Sequence, residues 1–333
     1  MFEKSLFRFG AALVAAALLA TTAQAIDIDT VTVGNPGNAG ELSGEGAGGY
    51  GPDRICGAVD YVYDIAKYEV TNAQYIEFLN AVAATDTHGL YNNLMWGIGR
   101  SGVSGSYSYW GKSYGADIEM AEKPVNYVSW GDAARFANWM HNGQPTGSQD
   151  LTTTEDGSYF LNGTTSWPVL LGVTREPDAT WVIPSEDEWY KAAYYDGSGG
   201  YYDYPTQSNT APTAESPPGG SNSANYAGVF YPGVTSDVGA YTSSDSAYGT
   251  FDQGGNVWEL NEAIIGDTSV GLRGGSYYYL DSAGKLQARF RNSIPPGEHS
   301  HVGFRVASIP EPGSITLFVC GLVSGLIWWR RRT

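Results

Sequence analysis

Positive charge and cysteine are the scarce materials in this chain. Eighteen Lys and Arg stand against 35 Asp and Glu, a formal charge of −17 over 333 residues. Five of the basic residues, Lys4, Arg8, Arg330, Arg331 and Arg332, sit in the two end segments. A surface this negative repels phosphate backbones and anionic lipid, which argues against nucleic-acid binding and makes cations the natural partners. Cysteine occurs twice, as Cys56 and Cys320, and the second lies inside a C-terminal apolar run. The body of the chain therefore has one thiol and no internal disulfide. Histidine is sparse too, and no carboxylate pair or Ser/His/Asp set has a spacing that singles it out.

What is abundant is glycine and aromatics: 44 Gly, 24 Tyr and 10 Trp, with 42% hydrophobic residues overall. Acidic disordered tails lack aromatics, so this composition is globular, and the length suffices for one large core.

The ends read as addresses. Residues 1–25 have a basic start, an apolar run over residues 11–20 and a small-residue cleavage site at Ala23-Gln24-Ala25, the pattern of a secretory signal. Near the other end, Pro310-Glu311-Pro312 precedes an apolar stretch over residues 314–329 and then three arginines. That stretch is at the lower limit for a helix crossing hydrocarbon, and the basic cluster marks its cytoplasmic side. The arrangement resembles a PEP-CTERM sorting tail, which implies processing by an exosortase and an exported or cell-surface destination. Residues 309–333 are assigned to this tail.

Between the ends, residues 26–55 are rich in Gly, Asn and Pro and read as a flexible lead-in or an edge segment. The domain proper is expected over residues 56–308. Three capped helical starts are legible: Thr71 with Gln74, Ser129 with Asp132, and Ser185 with Glu188, each leading into apolar residues on one face. The remainder reads as short strands and long loops. Ser, Thr, Gly, Asn and Pro dominate residues 142–168 and 196–220, which are expected to be surface insertions.

Six strings then occur in a telling order. Tyr68-Glu69-Val70-Thr71-Asn72 leads into the first helix, Lys123-Pro124-Val125-Asn126-Tyr127-Val128-Ser129-Trp130 into the second, and Ile183-Pro184-Ser185-Glu186-Asp187-Glu188-Trp189 into the third. They are followed by Gly254-Gly255-Asn256-Val257-Trp258-Glu259, Arg273-Gly274-Gly275-Ser276-Tyr277 and Gly303-Phe304-Arg305-Val306-Ala307. The series resembles the formylglycine-generating enzyme, or sulfatase-modifying factor, family. The resemblance implies an α+β domain related to the C-type lectin fold, with low regular secondary structure and structural calcium.

It also implies copper oxidase chemistry on a sulfatase cysteine, built on two thiolates just after the Gly-Gly-Ser-Tyr string. Cu(I) is soft and a thiolate pair holds it far better than oxygen does. Aligned from Ser276, those positions are Tyr279 and Gly284. Neither ligates Cu(I), and a lone Cys56 far upstream cannot replace a pair, so no copper is expected. The groove that the family opens here would be bordered by Ser276, Tyr279, Trp258, Arg289 and Arg291. A second branch, resembling iron-dependent sulfoxide synthases, supplies a three-histidine site from an added helical domain; no such domain fits, and only His299 and His301 are neighbours.

For calcium the resemblance points to Asp252, Gly255, Val257 and Glu259, and to a second site at Asn225 and the Tyr226 carbonyl. Calcium takes six to eight oxygen ligands, carbonyls included, and a glycine-rich turn lets carbonyls converge. The expectation is an exported, non-catalytic binding or structural module for a protein or polysaccharide. Its aromatic clusters at residues 107–110, 194–204 and 277–279 suit sugar faces. The alternative is an enzyme of this family, the oxidase itself or one with changed chemistry in the same groove.

Overall fold

The computed structural model of the chain describes residues 25–114, 118–229, 234–278, 280–295 and 297–309. Residues 1–24 of the expected signal segment, residues 310–333 of the expected tail, and Tyr279 lie outside them. Among the described residues no helix is long and apolar enough to cross a membrane.

Three of the four helices begin where side chains satisfy the orphan amides of a first turn. Helix α1 spans Asn72–Val82 and starts at Thr71, whose hydroxyl accepts from the Gln74 amide while the Gln74 side chain accepts from the Thr71 amide. Helix α2, Trp130–His141, is capped reciprocally by Ser129 and Asp132. A single turn, α3, covers Trp167–Leu170, with Pro168 near its start. Helix α4, Glu186–Tyr194, repeats the reciprocal cap with Ser185 and Glu188.

Two four-stranded sheets frame these helices. In the first, Thr30–Val33 lies at the edge, followed by Tyr63–Ala66, Ala307–Ser308 and Trp181–Val182, all antiparallel. The two ends of the domain therefore close on one sheet. The second runs Asn292–Ile294, Ser269–Arg273, Trp258–Ile265 and Val302–Gly303; its last pairing is parallel. Residues 26–55 contribute an edge strand to the first sheet and an antiparallel pair, Glu41–Ser43 with Arg54–Cys56.

Helices α1 and α2 bring their apolar faces together over Phe304. Phe78 and Phe136 meet edge to face at 5.3 Å, and Phe136 meets Phe304 at 5.4 Å. Edge-to-face pairs of this kind add to the area they bury. Many short elements joined by long loops around one aromatic core make an α+β architecture of low regularity.

The stretch after α2 differs from the expected surface insertion. Tyr159 and Thr154 are wholly buried, and the Asn138 amide donates to both of their carbonyls. Polar composition misled here because buried loop backbone needs polar partners, and Asn138 and Asn142 supply them from the helix.

Candidate functional site: the aromatic face beside Ser276

Strand Ser269–Arg273 delivers Gly274 and Gly275, both at positive φ, and then Ser276. An added Cβ at Gly274 would stand 2.7 Å from the Gln253 carbonyl, so this turn requires glycine. Ser276 is fully buried. Its amide and hydroxyl both donate to Asp281 Oδ2, at 2.9 and 2.7 Å, and Lys285 donates to Asp281 Oδ1. Gly284 belongs to the short 3-10 turn Ala283–Leu286.

The residues expected along one groove separate. Trp258 is buried, with its amide donating to the His301 carbonyl. Arg291 is buried with both oxygens of Glu186 around its Nε and with Nη2 on Oε2. Arg289 donates to Gln287. Burial of Ser276, Trp258 and Arg291 places them in the frame rather than on a wall open to a ligand. What stands half-exposed instead is a set of rings, Trp96, Tyr278, His299 and His301, around the buried Tyr277. Trp96 meets Tyr277 at 5.8 Å, Tyr278 stacks on His301 at 5.4 Å, and His299 lies 5.8 Å from His301. Burial lowers the pKa of both imidazoles, so they are neutral at neutral pH. Trp96 was missed in sequence because its place against Tyr277 depends on a contact about 180 residues apart in the chain.

The acidic residues Glu186, Glu188 and Glu259 of the family strings are ion-pair anchors. Glu186 receives Arg54, Arg273 and Arg291. Glu188 receives Arg175, and Glu259 receives Arg305. Several carboxylates of an acidic chain are thereby neutralised where they are buried. Cys56 is also buried, with Arg273 Nη2 3.4 Å from its sulfur, and burial pushes its thiol pKa up.

The calcium candidates are brought together in part. A Cβ on Gly255 would be 2.5 Å from the Asn225 carbonyl, so the two expected segments touch. Asn225 Oδ1 and Thr235 Oγ1 are buried without a partner among the described residues. So are both oxygens of Glu69, whose pKa is raised well above the usual range by burial and by Asp252. Orphaned oxygens of this kind suit a hard cation. Asp252 accepts from the Gly239 amide at 2.6 Å. Glu259 is the exception: its carboxylate is taken up by Arg305 and by the Trp189 indole, a commitment that spacing alone does not reveal. Val257 is buried beside it, and Tyr226 donates its hydroxyl to the Pro212 carbonyl. Among the described residues no three acidic, His or Cys side chains converge as a metal-holding group, so carbonyls and amide oxygens would supply most ligands.

One antiparallel and one mixed four-stranded sheet, capped helices and arginine-anchored carboxylates define a lectin-like domain of low regularity. The chain belongs to the FGE-sulfatase family: the sulfatase-modifying factor enzyme 1-like domain matches residues 57–309. Among solved structures it is similar to Treponema denticola variable protein 1, at 19% identity over 87% of this chain and 98% of that one, with a TM-score of 0.53. Weaker similarity extends to PvdO from Pseudomonas aeruginosa, at 18% identity over 84% and 94% of the two chains, TM-score 0.49. CarF is similar at 20% identity over 86% and 99%, TM-score 0.47. No curated protein matches.

Proposed function

We propose that the mature domain is an exported, non-catalytic module that binds extracellular polysaccharide through the aromatic face formed by Trp96, Tyr278 and His301. The observation that carries this reading is the substitution of the family's thiolate positions by Tyr279 and Gly284, taken with the half-exposed rings of Trp96, Tyr278 and His301. Tyr and Trp rings stack on sugar faces and their polar tips bond hydroxyls. The signal segment and the PEP-CTERM-like tail supply the route outward, with an exosortase as processing partner. Calcium at the segment around Asn225 and Asp252 stabilises the folded state by binding it alone.

The test is a glycan array probed with the mature domain. Specific binding that Tyr278→Ala and Tyr279→Ala both remove is the expected result; a protein ligand captured with no glycan signal would move the reading to a protein-binding module. Copper-loaded protein incubated with a sulfatase-motif peptide should form no aldehyde beyond a Tyr279→Ala control. Aldehyde above that control overturns the non-catalytic reading.

A further inference from the structure

A cavity of about 330 Å³ opens at the start of α2 and shares no lining residue with the aromatic face, although its Glu298 precedes His299 in the chain. Asp132 and Glu298 line it together with Asn92, His88, Trp167 and Leu170. The charges around it balance except for two. Arg135 is held by both oxygens of Glu155, at 2.7 and 2.9 Å. Asp86 is paired with Arg100 at 3.0 Å. His88 stands 3.5 Å from Glu155, and burial lowers its pKa, so it carries no charge near neutrality. Tyr75 is neutral, its hydroxyl donating to the Leu90 carbonyl.

Among the described residues Asp132 and Glu298 form no ion pair; the charge of Arg135 favours the ionised form of Asp132, but its guanidinium is bonded to Glu155. Asp132 Oδ2 accepts from the Ser129 amide and hydroxyl, and Glu298 Oε2 accepts from Asn92. These are hydrogen bonds, and they leave two negative charges facing one partly closed cavity. Part of its wall is apolar: the Leu170 side chain is buried, and the Trp167 ring is fixed by its indole N–H on the Thr268 carbonyl at 2.8 Å, while Thr165, Asn92 and the Glu155-paired Arg135 complete the lining.

We infer that this cavity is a binding pocket for a primary alkylammonium group of the lysine side-chain type, its stem along Trp167 and Leu170 and its head between Asp132 and Glu298. An ammonium brings three donors and one compact positive charge to two acceptor-only carboxylates, and an indole face favours a cation beside it. The chain's net charge of −17 draws such a ligand in.

Burial pushes Asp132 up to about 6, and burial with the neighbouring Asp132 pushes Glu298 up to about 7. Both are ionised at pH 8 and protonated at pH 5, while a lysine amine stays charged across that range. Binding is therefore tight on the alkaline side and lost in acid.

The experiment titrates the full chain with Nα-acetyl-lysine amide, followed by calorimetry, at pH 8 and pH 5. The same titration with the Nε-acetylated compound keeps the stem and removes the charge. Saturable binding at pH 8 is expected, weakened about tenfold or more at pH 5, by Nε-acetylation, and by Glu298→Gln with an unchanged melting midpoint. No saturable binding of the free amine at pH 8, or equal binding of the acetylated compound, overturns the inference. If Glu298→Gln fails to fold, the pH and acetylation comparisons on the unaltered protein decide alone. Loss of glycan binding at the Tyr278 face would leave this result untouched.

Discussion

Arg305 lies in the string after the last strand of the second sheet, yet it grips Glu259 on a neighbouring strand with Nη2 2.7 Å from Oε1, both residues wholly buried. Its Nε–H donates to Glu259 Oε2, and the other guanidinium hydrogens go to the carbonyls of Ala66, Lys67 and Phe251. One side chain thus ties both sheets and a loop together. Arg305→Ala leaves Glu259 buried and uncompensated, and the expected loss is about 3–5 kcal/mol in urea unfolding. The double variant Arg305→Met, Glu259→Gln should recover a large part of it. A single-variant loss below about 1 kcal/mol would mean the pair is as replaceable as an exposed one.

Gly255 offers a test of the turn that joins the two calcium segments. Its φ is +98° and an added methyl would meet the Asn225 carbonyl at 2.5 Å, a backbone atom that cannot swing aside. Gly255→Ala should cost about 1–3 kcal/mol or more. Gly197→Ala is the control, because φ there is also positive but nothing lies within 4 Å of the new carbon. Equal melting temperatures for the two variants would remove close approach as the reason for glycine at 255.

The three helix starts and the six family strings were legible because caps and short motifs act over a few residues. Thr71, Ser129 and Ser185 each met the partner three residues on that local geometry dictates. The site was less legible. Arg291 reads as a groove residue by position, but its burial against Glu186 is a contact 105 residues distant in the chain. Glu259 reads as a calcium ligand beside a glycine turn, and only the approach of Arg305 shows where its charge goes. The rings at Trp96 and His301 are assembled by loops whose course no periodicity encodes.

Proton linkage and calcium should act on stability in opposite directions. Burial pushes Asp252 and Asp132 up to about 6 and raises Glu69 further. A carboxyl raised in the folded state contributes stability that is fully present below its unfolded pKa of about 3.9 and is lost as pH rises through the folded value. Without calcium, folding stability should therefore fall as pH rises from about 4 through 6, by on the order of 3 kcal/mol for each of Asp252 and Asp132, with the Glu69 contribution lost at higher pH. Glu186 and Glu188, lowered by their arginines, keep their contribution throughout that window and lose it only in stronger acid. Calcium needs ionised ligands, so it should restore stability chiefly above pH 6. Melting curves in EGTA and in excess calcium across this range check both signs. An EGTA midpoint identical to the calcium midpoint at pH 8 would count against an ion at the Asn225–Asp252 segment.

Cys56 gives the last prediction, since it is the thiol of the domain body. Its sulfur is closed to solvent, and burial raises its pKa more than the nearby Arg273 and Arg54 guanidinium charges lower it. A thiol that is neither ionised nor reachable is inert toward disulfide reagents and a poor ligand for copper. In a Cys320→Ala background the native protein should remain unmodified by a thiol reagent over the time in which the urea-unfolded protein reacts fully. Cys56→Ala should lower stability by about 1 kcal/mol, the scale of a small buried group, and leave cuprous-ion binding at the background level. Rapid modification of the native state, or loss of tight copper binding on that substitution, would return a redox role to this domain.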